Sequence, residues 1–93
     1  MQDNGLIAVI VGISHKKAKI LVGPEVITKA FIDDDSQIKE RIKQIANDEI
    51  ENIIVNHGSF ADIKNVIREK VTNYVYHKTE RMPLVIPVVM DEN

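Results

Sequence analysis

Three histidines and one run of carboxylates are the side chains of this 93-residue sequence best suited to hold a metal or move a proton. His15, His57 and His77 lie far apart, and none is joined by a second His at the short spacing that metal motifs use. Each reads as a surface or capping histidine. Asp33-Asp34-Asp35 offers oxygen ligands for a hard cation, but it lacks the alternating ligands and mid-loop Gly of a calcium loop. Placed ahead of an apolar-periodic segment, it reads instead as negative charge at the positive end of a helix dipole. With no cysteine, disulfides, thiolate metal sites and cysteine nucleophiles are excluded together. No Gly-x-Gly-x-x-Gly, Walker A or Gly-x-Ser-x-Gly pattern occurs. No catalytic residue, metal ligand or cofactor site is expected in the chain.

Binding is the remaining chemistry. Lys64, Arg68, Lys70, Lys78 and Arg81 give residues 60–83 a net charge of +2, whereas residues 32–57 carry −4. These five cations are candidates for contact with RNA phosphates, so an RNA-contacting module built on that segment is the alternative functional reading. They are interleaved with acids, aromatic residues make up only 4% of the chain, and the net charge is −2, all of which favour a solvated helix surface. Two residues break the local hydrophobic pattern. Glu49 falls inside an isoleucine stripe and Tyr76 falls opposite one, so each is a candidate contact with another chain.

The elements that must position these residues follow from periodicity. Leu6 to Ile13 is nearly continuous in β-branched and apolar residues, as in a strand at the centre of a sheet. Ser14-His15-Lys16-Lys17 reads as a hairpin connection and Ala18 to Val22 as the return strand. Gly23-Pro24 is a turn signal, and Val26 to Ile32 a short third strand or extended crossing. Ile38, Ile42, Ile45, Ala46, Ile50 and Ile53 recur at helical spacing, with Gly58 expected as the left-handed residue that closes the helix. Ser59 and Asp62 form a capping-box pattern ahead of a second helix striped by Ile63, Val66, Ile67, Val71, Tyr74 and Val75, which Pro83 ends. Leu84 to Met90 is the last strand, and Pro87 within it points to an edge or a bulge.

The order is β-β-(β)-α-α-β in a single domain, residues 1–93. The expected fold class is α+β: a small, mostly antiparallel sheet of three or four strands with two helices packed on one face. The first and last strands are too apolar to face water on their other side, so a covering partner is expected there. Val85 and Val88 join Tyr76 and Glu49 as interface candidates on that account. No apolar run reaches the roughly 20 residues of a membrane span and no basic n-region precedes the first strand, which leads to the expectation of a cytoplasmic protein without membrane partners.

The C-terminal third resembles a known family. Tyr76-His77-Lys78-Thr79-Glu80-Arg81-Met82-Pro83-Leu84-Val85-Ile86-Pro87-Val88-Val89-Met90 is similar to the closing signature of RNase J, Tyr-x-Lys-Thr-x-Arg-x-Pro-Met-Ile-Leu-Pro-Val-Ile-Met. Upstream, Asp3-Asn4-Gly5 before the first strand and Gly23-Pro24-Glu25-Val26-Ile27-Thr28 resemble the family's Glu-Asp-Gly and Gly-Pro-Asp/Glu-Ile-Ile-Ser/Thr segments. The resemblance covers only the C-terminal domain of that family. It implies a non-catalytic appendage of a metallo-β-lactamase/β-CASP ribonuclease, a hydrolase with 5′-to-3′ exonuclease and endonuclease activities in mRNA decay and rRNA maturation. Zinc is implied only for the catalytic domains, whose His-x-His-x-Asp-His motif this chain lacks. The implied partners are a second copy or a paralogous RNase J subunit and the parent's own catalytic domains, with RNA as the parent's substrate. Thr28-Lys29-Ala30-Phe31-Ile32 stands where the family commonly has Ser/Thr-Arg-Gly-Phe-Val. That departure gives up a Gly and a planar guanidinium, and implies a divergent paralogue, the less active partner of a heteromeric pair.

Overall fold

The computed structural model describes residues 5–14, 16–29 and 36–91, so the expectations placed on His15, on Ala30 to Ile32 and on Asp33 to Asp35 lie outside the described residues. Five elements follow in order: β1 (Leu6–Ser14), β2 (Lys19–Lys29), α1 (Ser36–Val55), α2 (Phe60–Thr79) and β3 (Leu84–Asp91). The strands form one sheet in the order β2-β1-β3, with both helices packed on one face of it. The fold is α+β.

β1 is central, which explains its near-continuous apolar character. Ile7, Val9, Val11 and Ile13 are fully buried toward the helices. The alternate residues Leu6, Ala8 and Ile10 point the other way and are half-covered. The sheet is mixed rather than mostly antiparallel: β1 pairs antiparallel with β2 and parallel with β3. The helical hairpin between β2 and β3 is long enough to return the chain to the far side of β1 in the parallel sense, which no tight turn can do.

Gly23-Pro24 does not end a strand. β2 runs straight through it, and the register between β1 and β2 shifts on either side of Gly12. The two expected strands are therefore one long strand with an irregularity at the glycine and proline. Gly23 has φ +84, a left-handed value that only glycine adopts readily. The chain crosses from β1 to β2 through a turn in which the buried Ser14 accepts a hydrogen bond at Oγ from the Lys17 N–H, 3.2 Å.

Each helix buries a stripe at four-residue spacing, Ile42, Ala46, Ile50 and Ile54 on α1 and Ile63, Ile67, Val71 and Val75 on α2. Together with Val26 and Val85 they close the core over β1. The stripe on α1 drifts onto Ile54, leaving Ile53 half-buried at its side. α1 ends in a Schellman arrangement: Gly58 N–H donates to Ile53 O at 2.8 Å and His57 N–H to Ile54 O at 3.0 Å. The left-handed residue is His57, φ 62, not Gly58. Gly58 is required for a different reason, because a Cβ there would run into the Cγ2 of Ile53.

The capping box on α2 is complete. Ser59 Oγ accepts from Asp62 N–H at 3.2 Å, and Asp62 Oδ2 accepts from Ser59 N–H at 3.1 Å. Ser59→Ala removes the first bond and weakens the second, so it should lower unfolding stability by about 1 kcal/mol in urea titration. A change of under a few tenths would show that water replaces the cap without loss.

Candidate interaction surface

With the helices on one side, no described residue covers the other face of the sheet. The pairing register sorts it into rows. Leu6 lies between Lys29 and Leu84, Ala8 between Ile27 and Ile86, and Ile10 between Glu25 and Val88. Gly12 follows between Val22 and Met90. Leu84, Ile86, Val88 and Met90 are all exposed, at 62, 39, 38 and 42%, which is unusual for four alternate residues of one strand. Ile27 and Val22 extend the patch onto β2, at 51 and 52%. This contiguous apolar surface is the candidate contact site of the domain.

The interface candidates divide over three places. Val88 lies on the open face, as expected. Val85 does not: it is 3% exposed, pairs with Ile7 and belongs to the core. The reason is the two-residue period of a strand, which sends positions three apart to opposite faces. Tyr76 is exposed on the outward side of α2, away from the sheet, with its ring centroid 6.3 Å from that of His77. Glu49 is half-buried at the margin of the α1 stripe. The four do not form one surface. Ile27, Leu84, Ile86 and Met90 do, and no periodicity in the sequence singled them out, because Leu84 to Met90 is apolar at every position.

The five cations do not converge either. Along α2, at 100° per residue, Lys70 projects about 160° from Arg68, so the two lie on opposite flanks of the helix. Lys64 and Arg68 share the flank on which Arg68 sits near Asn65, with Nη1 to Oδ1 at 3.5 Å. Lys78 lines a shallow cleft at the far end with Ser36, Gln37, Ile38 and Tyr74, and Arg81 follows the helix end. This scatter does not make a phosphate-tracking stripe.

Among the described residues no group of three or more His, Asp or Glu side chains is placed to hold a metal ion. The described residues do not fit the zinc of a metallo-β-lactamase site. No helix among the described residues is long and apolar enough to cross a membrane.

An α+β domain with a helical hairpin on one face, a bare apolar sheet on the other and a Pro-interrupted last strand fits the similarity of its closing residues to RNase J. The sequence matches the ribonuclease J C-terminal domain family over residues 1–92. The chain belongs to that family. Over 98% of its length it is 22% identical to ribonuclease J2 of Bacillus subtilis, covering 17% of that protein. It is 21% identical to ribonuclease J 2 of Staphylococcus epidermidis and to that of Staphylococcus aureus, again across 98% of the chain and 17% of each relative. The chain thus spans about a sixth of these relatives and has a ribonuclease-related accessory character. In the RNase J domain the long strand β2 carries the Gly-Pro-Glu segment through its irregularity, and β3 carries the closing signature along the sheet edge.

Proposed function

We propose that the chain is the non-catalytic C-terminal accessory domain of an RNase J-like ribonuclease, and that it supports assembly, and through assembly activity, of a longer parent. The open apolar face of the sheet carries this reading. A surface that would otherwise hold apolar side chains in water is stabilised by burial at roughly 25 cal/mol per Å², so covering it drives association. The family supports the rest: a cytoplasmic parent with zinc-dependent catalytic domains that cleaves RNA both from 5′ ends and internally, in mRNA decay and rRNA maturation. The occupant of the face is a second copy or a paralogous subunit. RNA is handled by the parent's other domains, since the cations of this chain are scattered around α2.

The test uses the chain alone. Incubated with 5′-monophosphorylated RNA, with or without Zn²⁺, it should leave the substrate intact, while sedimentation equilibrium gives a mass above the monomer that rises with concentration. Robust metal-dependent cleavage would overturn the non-catalytic role. A strict monomer at every accessible concentration would overturn assembly through this chain.

A further inference from the structure

The two edges of the sheet are protected unequally. Among the described residues no strand pairs with the outer side of β3. This strand is eight residues long, and its register with β1 runs unbroken from Leu6 with Leu84 to Ile13 with Asp91. From Leu84 to Met90 it reads Leu-Val-Ile-Pro-Val-Val-Met, without a charged side chain. A long, regular, uncharged edge of this composition is a template for another strand. The opposite edge is different. β2 carries Lys19, Glu25 and Lys29, all exposed, and its pairing with β1 is irregular around Gly23-Pro24. Charge and irregularity both discourage strand addition there. On β3 neither device is present, and one residue, Pro87, is left to do the same.

The backbone register fixes which residues of β3 face outward. The Leu84 N–H donates to Gly5 O at 3.0 Å. In a parallel ladder such a residue turns both its N–H and its C=O toward the neighbouring strand, and the residues two, four and six further on do likewise. Val85, Pro87, Val89 and Asp91 therefore turn theirs to the free edge. Pro87 stands in the middle of that outward row, where the missing N–H costs the β1-β3 ladder nothing. One position earlier or later, the same proline would remove a bond to β1. Its ring lies on the helix side of the sheet, in register with the buried Val9.

We propose that Pro87 closes the outer edge of β3, barring a further strand, from another copy or from an extended peptide, from pairing along it. A ladder on that side needs a donor at every second residue. The nearest outward donors, on Val85 and Val89, are four residues apart, about 13 Å. Between them an incoming carbonyl meets a ring methylene in place of a hydrogen and leaves water without a donor. The role is separate from the assembly role put forward above, because an N–H at position 87 adds nothing to the open face.

Two measurements on the chain itself test this. In amide hydrogen exchange of the wild type, followed by NMR, the outward Val89 N–H should exchange at least about tenfold faster than the N–H groups of Val88 and Met90, which are bonded to β1. Equal protection would show the outer row already paired and would overturn the proposal. Pro87→Val supplies the missing donor on a residue that favours strands, and this variant should form thioflavin-binding, sheet-rich polymers at least about tenfold sooner than the wild type. Pro87→Val/Val89→Pro moves the proline two positions along the same outward row and should return the lag to within about threefold. A folded Pro87→Val chain that stays as soluble as the wild type overturns the proposal, and so does a double variant that polymerises like the single one. If circular dichroism shows Pro87→Val unfolded, its polymerisation reports unfolding, and the exchange pattern alone decides. Whether the wild type is a monomer or a reversible oligomer bears on the assembly role and not on this one.

Discussion

Val85→Lys is expected to abolish the cooperative fold of the domain at room temperature, while Val88→Lys leaves it folded and monomeric. The two valines are three residues apart on the same strand and resemble each other in every sequence property. Val85 is 3% exposed, registers with Ile7 on β1 and sits among the buried residues beneath the helices. An ammonium at that position has no polar partner within the core, and moving an unpaired charge into apolar surroundings costs several kcal/mol even after it neutralises. A domain of this length has about 5–14 kcal/mol of stability in total, so the loss consumes most or all of it. Val88 projects onto the open face beside Ile10. Lysine there keeps its head in water in the monomer and should change stability by less than about 1 kcal/mol, but it puts a cation in the middle of the surface proposed to pair. Two measurements separate the outcomes: thermal melting by circular dichroism and sedimentation equilibrium. If Val85→Lys melts within a few degrees of the wild type, the core does not close over β3 as described. If Val88→Lys still self-associates like the wild type, the open face is not the contact.

That pair of valines also shows where the sequence is legible and where it is not. The helices are readable because their burial is local: Ile42, Ala46 and Ile50, or Ile63, Ile67 and Val71, declare a common stripe without reference to anything else in the chain. The capping box is equally local, and Ser59 and Asp62 bond as their spacing predicts. Strand facing is not local in this protein. β1 and β3 are apolar on both sides, so nothing in Leu84 to Met90 says which alternate set meets the helices; that is decided by the parallel register with β1. Gly23-Pro24 misleads for a related reason. Glycine and proline mark places where a strand cannot continue regularly, and a turn and an irregularity inside one long strand share that signature. His57 in the left-handed position ahead of Gly58 has a packing cause: the glycine is reserved for the close approach of Ile53. The basic segment was legible in composition only, since the angular spread of Lys64, Arg68 and Lys70 around α2 separates charges that are neighbours in the sequence.

Gly23→Ala carries the second large expected effect, because two independent costs fall on one methyl group. Gly23 has φ +84, a region that costs a residue with a Cβ about 1–2 kcal/mol. The added Cβ would also lie 2.8 Å from Ile10 O and 3.0 Å from Glu25 N, both of them backbone atoms of the paired strands. Neither can swing aside as a side chain would. Accommodating the methyl means spreading β1 from β2 beside Gly12, where the register already shifts, and overpacking of this kind costs about 1–3 kcal/mol. Together the expected loss is about 3 kcal/mol, or a Tm lower by roughly 12–24 °C in a domain of this size. Gly58→Ala is the control. Its φ is not in the left-handed region, so only the contact cost applies there: the Cβ meets Cγ2 of Ile53, held on a branched side chain of the helix, and Ile53 O at 3.3 Å. The loss there should be the overpacking cost alone, about 1–3 kcal/mol, without the backbone penalty that Gly23→Ala adds. Equal destabilisation by the two alanines would assign the effect to contact alone. A Tm at Gly23→Ala within a few degrees of the wild type would show that β2 can rearrange around position 23. The ladder from Glu25 to Lys29 would then not be anchored by the irregularity.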